Sequence, residues 1–321
     1  MSIRNLYWSR FDKKIDTDFD TWKNRTAEFS ELHKLTLSSH LKLGGEIFLH
    51  THQKIKPPSG ITICDSEKYI SSEVVFRALQ AGHSIAHVSD AVRLGACLDN
   101  GGIFIDMDMT VLREFPDDEG FIHSAPAKKT GGFAPKWGAS HPPIFIRDGS
   151  WDGKALAMPP FKVSPKMRDG IKSLCKRIVN ELGKPPKKDT HGWNYVMWDV
   201  KHMARTCSDV KVYPPLYGCP IPSWLGEGKC YSLEQPTRMR KHNILFGHQM
   251  DDADEILEKS HGIQHFMESA FQEAEVVPDD FWMNVPQESL LAMEAMMIVG
   301  QDWKDLFTSH PYSYPPKAGS N

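Results

Sequence analysis

Residues 89–110 read Ser89-Asp90-Ala91-Val92-Arg93-Leu94-Gly95-Ala96-Cys97-Leu98-Asp99-Asn100-Gly101-Gly102-Ile103-Phe104-Ile105-Asp106-Met107-Asp108-Met109-Thr110. A helix-compatible stretch starting near Ser89 runs into Asn100-Gly101, where glycine accepts the left-handed conformation that stops helices. The run that follows, GIFIDMDMTVL, is β-branched and aromatic apart from its two carboxylates, as in a buried strand. Helix followed by strand is half of an α/β unit, and open α/β sheets bind ligands at the carboxyl ends of their strands. Side chains at i and i+2 share a strand face, so Asp106 and Asp108 are expected to approach one ion or one diphosphate together. Their oxygens are hard ligands that suit Mg²⁺ or Mn²⁺.

On the N-terminal side the α/β alternation continues. Residues 3–8 form a short apolar run, residues 21–41 have helix-compatible spacing, and residues 46–51 (EIFLHT) and 61–64 (ITIC) read as buried strands around the turn-forming KPPSG. Residues 71–80 are expected to be a helix, with Ser71 or Ser72 as N-cap and Glu73 in the first turn. On the C-terminal side residues 125–165, rich in Gly, Pro and Lys, suit a long surface loop over a cleft. Helices are expected at 165–182 and 193–207, and short strands at 210–213, 243–247 and 263–267. The Met/Leu-rich run ESLLAMEAMMIVG reads as a packing helix ahead of a Pro-rich tail.

Composition narrows the function classes. The chain has 321 residues, with 38 Lys and Arg against 41 Asp and Glu and a formal charge of −3, which argues against binding to nucleic acid by bulk electrostatics. Six cysteines (Cys64, Cys97, Cys175, Cys207, Cys219 and Cys230) form no CxxC pair, so neither a zinc knuckle nor a dense disulfide framework is suggested. The first residues lack the apolar core of a signal peptide, and no window approaches a membrane span. The expectation is a soluble cytoplasmic protein without integral membrane association.

Asp-x-Asp alone admits several readings. A calcium loop fails, because Val111 stands where an EF-hand needs its turn glycine. Asp106-Met-Asp108-Met-Thr110 resembles the first motif of haloacid dehalogenase-type phosphatases, and ILFGHQMDDAD at 244–254 could pass for their acidic metal motif. The flanks favour another family. Ser-Asp-x-x-Arg at 89–93, a short helix, then Gly-Gly-x-Phe-x-Asp-x-Asp at 101–108 resembles the DXD-containing retaining glycosyltransferases, as in yeast-type initiating α-mannosyltransferases, lactosylceramide α-galactosyltransferases and clostridial glucosylating toxins. Asp90 and Arg93 are one helical turn apart and can present an acceptor to sugar hydroxyls and a planar cation to phosphate. An ordinary surface ion pair is the alternative.

The resemblance implies a GT-A type nucleotide-sugar-binding open sheet with helices on both faces. It implies one catalytic domain with insertions over 1–271, and a C-terminal helical extension and tail over 272–321 packed on it. Asp90, Arg93, Asp106 and Asp108 become the catalytic set. Trp8, at the end of the first strand, would stack on the nucleotide base, and Gly102, Ser269 and Phe271 join the donor contacts. Gly262-Ile263-Gln264-His265-Phe266-Met267-Glu268-Ser269-Ala270-Phe271 resembles the segment that closes over metal and diphosphate, so Asp108, His265 and Ser269 are the candidate metal ligands, with His248 as a competitor. His191-Gly192-Trp193-Asn194 falls where relatives often have a Gly-Pro turn facing the acceptor.

The implied reaction is metal-dependent transfer, with retention, of a sugar from a nucleotide-diphosphate donor, a UDP-sugar favoured, to an acceptor hydroxyl. A glycan or polysaccharide precursor is the default acceptor. Hydroxymethylated pyrimidine in viral DNA is an alternative, for which the basic runs PAKKTGGFAPKWG, GKPPKKD and TRMRKH could line a duplex groove. A sugar-nucleotide-binding scaffold without turnover is a non-catalytic alternative.

Overall fold

The computed structural model describes residues 2–29, 31–124, 157–186, 194–218, 257–265 and 290–307. The N-terminal half contains β1 (Ile3–Tyr7), α1 (Phe19–Asn24), β2 (Thr26–Ala27), α2 (Glu31–Leu43), β3 (Glu46–Thr51), β4 (Lys54–Ile55) and β5 (Thr62–Asp65). It continues through α3 (Ser72–Ala81), α4 (Ile85–Asn100), β6 (Ile103–Phe104), β7 (Met109–Val111) and β8 (Gly120–Ser124). Beyond these lie β9 (Ala157–Lys162), α5 (Arg168–Leu182), α6 (Asn194–Thr206), β10 (Val210–Tyr213), α7 (Pro215–Gly218), β11 (Gly262–Gln264) and α8 (Leu290–Val299).

Seven strands make one open sheet in the order β10-β8-β9-β6-β1-β3-β5. All neighbours pair in parallel except β9, which runs antiparallel to both β6 and β8. Alternation along each strand sorts the core into two layers. Tyr7, Phe104 and Ile122 face a cluster with Val75 of α3, Val92 of α4, Ile171 of α5 and Val196 of α6. Their chain neighbours Leu6, Ile103 and Phe121 face Leu37 of α2 and Met109 of β7. Helices therefore cover both faces of an α/β sheet, as expected, and each fully buried Leu or Phe contributes about 2 kcal/mol.

Local chemistry explains where the elements differ from the sequence expectation. The helix expected over 21–41 is two helices, because Arg25 turns extended and its Nε and Nη2 clamp Asp16 at 2.9 and 2.5 Å. Thr26–Ala27 then pairs with Lys54–Ile55. The helix expected near Ser89 begins at Ile85, with the Ser84 hydroxyl capping the Ala86 N–H, so Ser89 lies inside it. The loop expected up to residue 165 contains β9, whose Pro159 and Pro160 hide a strand that sits between β6 and β8.

The run GIFIDMDMTVL is not one strand. β6 belongs to the main sheet, whereas β7 pairs antiparallel with β11 in a separate ribbon. The Met109 N–H bonds the Asp106 carbonyl at 3.2 Å, so Asp106 and Asp108 sit on a turn between the two strands. The shared strand face expected for them is absent. Among the described residues no helix is long and apolar enough to cross a membrane.

Candidate functional site

The connection after β1 runs through α1 and α2 to β3 on one side, whereas β6 lies on the other side of β1 and leads on towards β8. The two strands are parallel, but the order of connection reverses between β1 and β6, and such a switch point opens a crevice at the carboxyl ends of the strands. Trp8 follows β1 at this edge, and Asp106 and Asp108 follow β6.

Arg93 is the centre of the first charge cluster. Its side chain is 3% exposed, and one nitrogen donates to both the Asp106 carboxylate and the Ile105 carbonyl, the latter at 2.7 Å. The second donates to Asp90 Oδ1 at 3.3 Å, and the guanidinium carbon lies 3.9 Å from the Phe104 ring centre. Phe104 in turn stacks on Phe161 of β9 at 4.4 Å. The sequence reading has this cation facing phosphate. In the folded chain it is spent inside the protein, tying α4 to the turn after β6. Burial pushes the Asp90 carboxyl up to about 7; the nearby Arg93 charge pulls it down and Asp106 pushes it up. Asp106 is the more accessible carboxylate of this pair, at 26% against 5%.

Asp108 stands in different surroundings. Its Oδ1 accepts from Gln264 Nε2 at 2.5 Å, and its carbonyl accepts from the His265 N–H at 2.9 Å. His265 is buried, with Nε2 3.2 Å from Glu294 Oε1 of α8 and 3.4 Å from the Thr110 hydroxyl, which itself donates to Glu294. Burial pushes the His265 imidazole towards the neutral form, but the charge and hydrogen bond of Glu294, with Asp108 behind, raise its pKa above the usual value. Glu294 reaches this point because α8 packs on α2, where Lys42 Nζ donates to the Met297 carbonyl at 2.5 Å.

The other expected residues are distributed as follows. The Trp8 ring is half-buried against Phe29 and His33, at 5.5 and 4.1 Å between centres. Gly102 lies before β6, at the opposite end from Asp106, with φ +82°; a Cβ there would sit 2.4 Å from the Ile3 carbonyl oxygen. Close packing on β1 accounts for that glycine. Ser269, Phe271, His248, residues 191–193 and the run 244–254 lie outside the described residues, and nothing is described of the Asn194 side chain. Thr110 and Gln264 fall within the two motifs quoted above without a role of their own, and Glu294 lies in the run expected to be a packing helix. Glu294 is a lone acid within the apolar run LLAMEAMMIV, and a carboxylate in the buried stripe of a helix is the one signal that could have marked it.

A hard divalent cation fits part of this arrangement. Among the described residues no group of three His, Cys, Asp or Glu converges on one point, but Mg²⁺ commonly takes only one or two carboxylates and fills its shell with phosphate and water. Among the described residues Gln264 Oε1, His265 Nδ1 and Glu294 Oε2 are buried without a hydrogen-bond partner. Two of these are acceptors outright, and the third becomes one when the imidazole keeps its proton on Nε2. Acceptors left unpaired are costly, so the region beside Asp108 has the polarity a cation or a donor group would satisfy.

Residues 13–126 match the family described as "Glycosyltransferase sugar-binding region containing DXD motif". That span contains Asp90, Arg93, Asp106 and Asp108, whereas Trp8, His265 and Glu294 lie outside it. Among solved structures, "PaToxG Glycosyltransferase" is similar at 15% identity and a TM-score of 0.28, over 57% of this chain and 65% of that one. The chain therefore spans about 65% of the length of that structure. No curated protein matches.

Proposed function

We propose that the chain is a metal-dependent retaining glycosyltransferase that moves a sugar from a nucleotide-diphosphate donor, a UDP-sugar favoured, to an acceptor hydroxyl, with a glycan or polysaccharide precursor as the acceptor. The observation that carries the reading is the placement of Asp106 and Asp108 at the switch point of the sheet, within a region similar to DXD-containing glycosyltransferase sugar-binding regions. Mn²⁺ or Mg²⁺ held by Asp108 with Asp106 would neutralise charge growing on the departing diphosphate. Arg93 fixes the Asp106 carboxylate, so its contribution to donor binding passes through that residue. Asp90 supports Arg93 from behind. Trp8 is proposed to face the base, and Ser269 and Phe271 to close over the donor from beyond the described residues.

The phosphatase alternative needs Asp106 as a nucleophile, and a carboxylate bound to a buried guanidinium is poorly placed for that. The basic runs that a DNA acceptor would use, PAKKTGGFAPKWG, TRMRKH and the Lys187-Lys188 pair of GKPPKKD, lie outside the described residues. The test is a thermal-shift screen of UDP-, GDP-, ADP- and CMP-sugars with and without Mn²⁺. A manganese-dependent rise with one nucleotide is expected; no rise with any of them sinks the reading.

A further inference from the structure

We infer that Glu294, on the C-terminal helix α8, is a positioning residue for the Asp108 turn, so that the segment outside the family match completes the metal-binding side of the site. The inference rests on the glycosyltransferase reading above. Asp108 opens the β7/β11 ribbon, and within that ribbon Ile263 pairs with Thr110 while the His265 N–H continues the ladder onto the Asp108 carbonyl. Glu294 grips both strands at once. Its Oε1 takes the Thr110 hydroxyl from β7 and faces His265 Nε2 just past β11.

Two features separate this from ordinary core packing. Glu294 is fully buried, and a buried carboxylate is expensive unless its partners are held in place for a reason. An apolar residue would fill the same position in LLAMEAMMIV at lower cost, and Met297 on the same helix already anchors it to α2. The second feature is the placement of the His265 ring. Its Nε2 lies 3.2 Å from Glu294 Oε1, and among the described residues its buried Nδ1 has no hydrogen-bond partner; a carboxylate that orients a histidine ring in this way is a recurring support for cation sites. Glu294 thereby sets the ring orientation and the spacing of β7, which follows the Asp108 turn, and β11, which carries Gln264.

The experiment uses the full chain and Mn²⁺ alone, read by electron paramagnetic resonance, with Asp108→Ala as control. Glu294→Leu should weaken Mn²⁺ binding roughly 10- to 100-fold, while Glu294→Gln, which keeps an acceptor oxygen, should recover most of the affinity. Wild-type Mn²⁺ affinity in a folded Glu294→Leu chain overturns the inference and leaves the glycosyltransferase reading standing. Absence of Mn²⁺ binding by the wild-type chain, or binding unaffected by Asp108→Ala, overturns both. Should Glu294→Leu not fold, the histidine side-chain ¹⁵N spectrum of the wild-type chain decides. Addition of Mg²⁺ should shift the His265 resonances while Nε2 stays protonated, and unchanged resonances count against the inference.

Discussion

Asp106 and Asp108 are two residues apart and chemically identical, yet they sit in opposite surroundings. Asp106 is bound to Arg93, a cation locked between Asp90, the Ile105 carbonyl and the Phe104 ring. Asp108 takes a neutral amide from Gln264, and among the described residues Gln264 Oε1, His265 Nδ1 and Glu294 Oε2 near it have no hydrogen-bond partner. The contrast separates a carboxylate tied to a buried cation from one tied to a neutral amide. Spacing alone cannot reveal that, because partners more than ten residues away decide it on both sides.

Substitutions on the two sides should therefore fail in different ways. Asp108→Ala is expected to lower transfer by roughly 10³-fold, the rate equivalent of several kcal/mol of lost charge stabilisation, with the melting temperature close to that of the wild type. Arg93→Met should act on stability, at about 2 kcal/mol, because it removes the hydrogen bonds that the guanidinium donates to Asp90, Asp106 and the Ile105 carbonyl. Denaturant unfolding of both variants beside a transferase assay measures the contrast. An Arg93→Met chain as stable as the wild type would remove the strut role assigned to the guanidinium.

The same cluster carries a pH signature. Asp90 in the folded chain titrates at about 7, above the unfolded carboxyl at 3.8. Between those values the unfolded chain has released its proton and the folded chain still holds it, so rising pH lowers stability across that window and no further above it. Asp90→Asn lacks this slope. Its stability relative to the wild type should grow from pH 4 to pH 7, to a gap on the order of 3 kcal/mol, and then level off. Parallel melting curves for the two chains over that range would show that Asp90 is not held protonated.

Much of the frame was legible. The strands Ile3–Tyr7, Glu46–Thr51 and Val210–Tyr213 follow from apolar or β-branched runs, and α3 and α4 both end at a glycine; Gly82 is left-handed, whereas Gly101, expected to be, has φ +71° with an extended ψ of −154°. The strand at Ala157–Lys162 was hidden because its two prolines carry a turn signal and its place comes from tertiary pairing on both sides. Asp90, Arg93, Asp106 and Asp108 were legible as a set, since they crowd into nineteen positions of the chain, from 90 to 108. The direction of Arg93 was not, because a guanidinium aimed at phosphate and one aimed at Asp106 have the same sequence. The partners of Glu294 were illegible for a different reason: 184 residues separate it from Thr110, and the packing of α8 on α2 brings them together.

Gly102 offers the mildest test of where the site ends. It carries φ +82°, which a side chain tolerates poorly, and an added Cβ would stand 2.4 Å from the Ile3 carbonyl oxygen and 2.6 Å from the Ile3 Cβ. Backbone cannot swing aside as a flexible side chain can, so β1 and β6 must separate locally. Gly102→Ala is therefore expected to cost about 2 kcal/mol of stability. The strain arises before β6, whereas the charged groups gather after it, so at temperatures where the variant is folded its affinity for a nucleotide sugar should match the wild type. Calorimetry of donor binding on the folded variant checks this. Lost affinity with unchanged stability would return Gly102 to the donor site and shift the boundary between frame and site by the length of one strand.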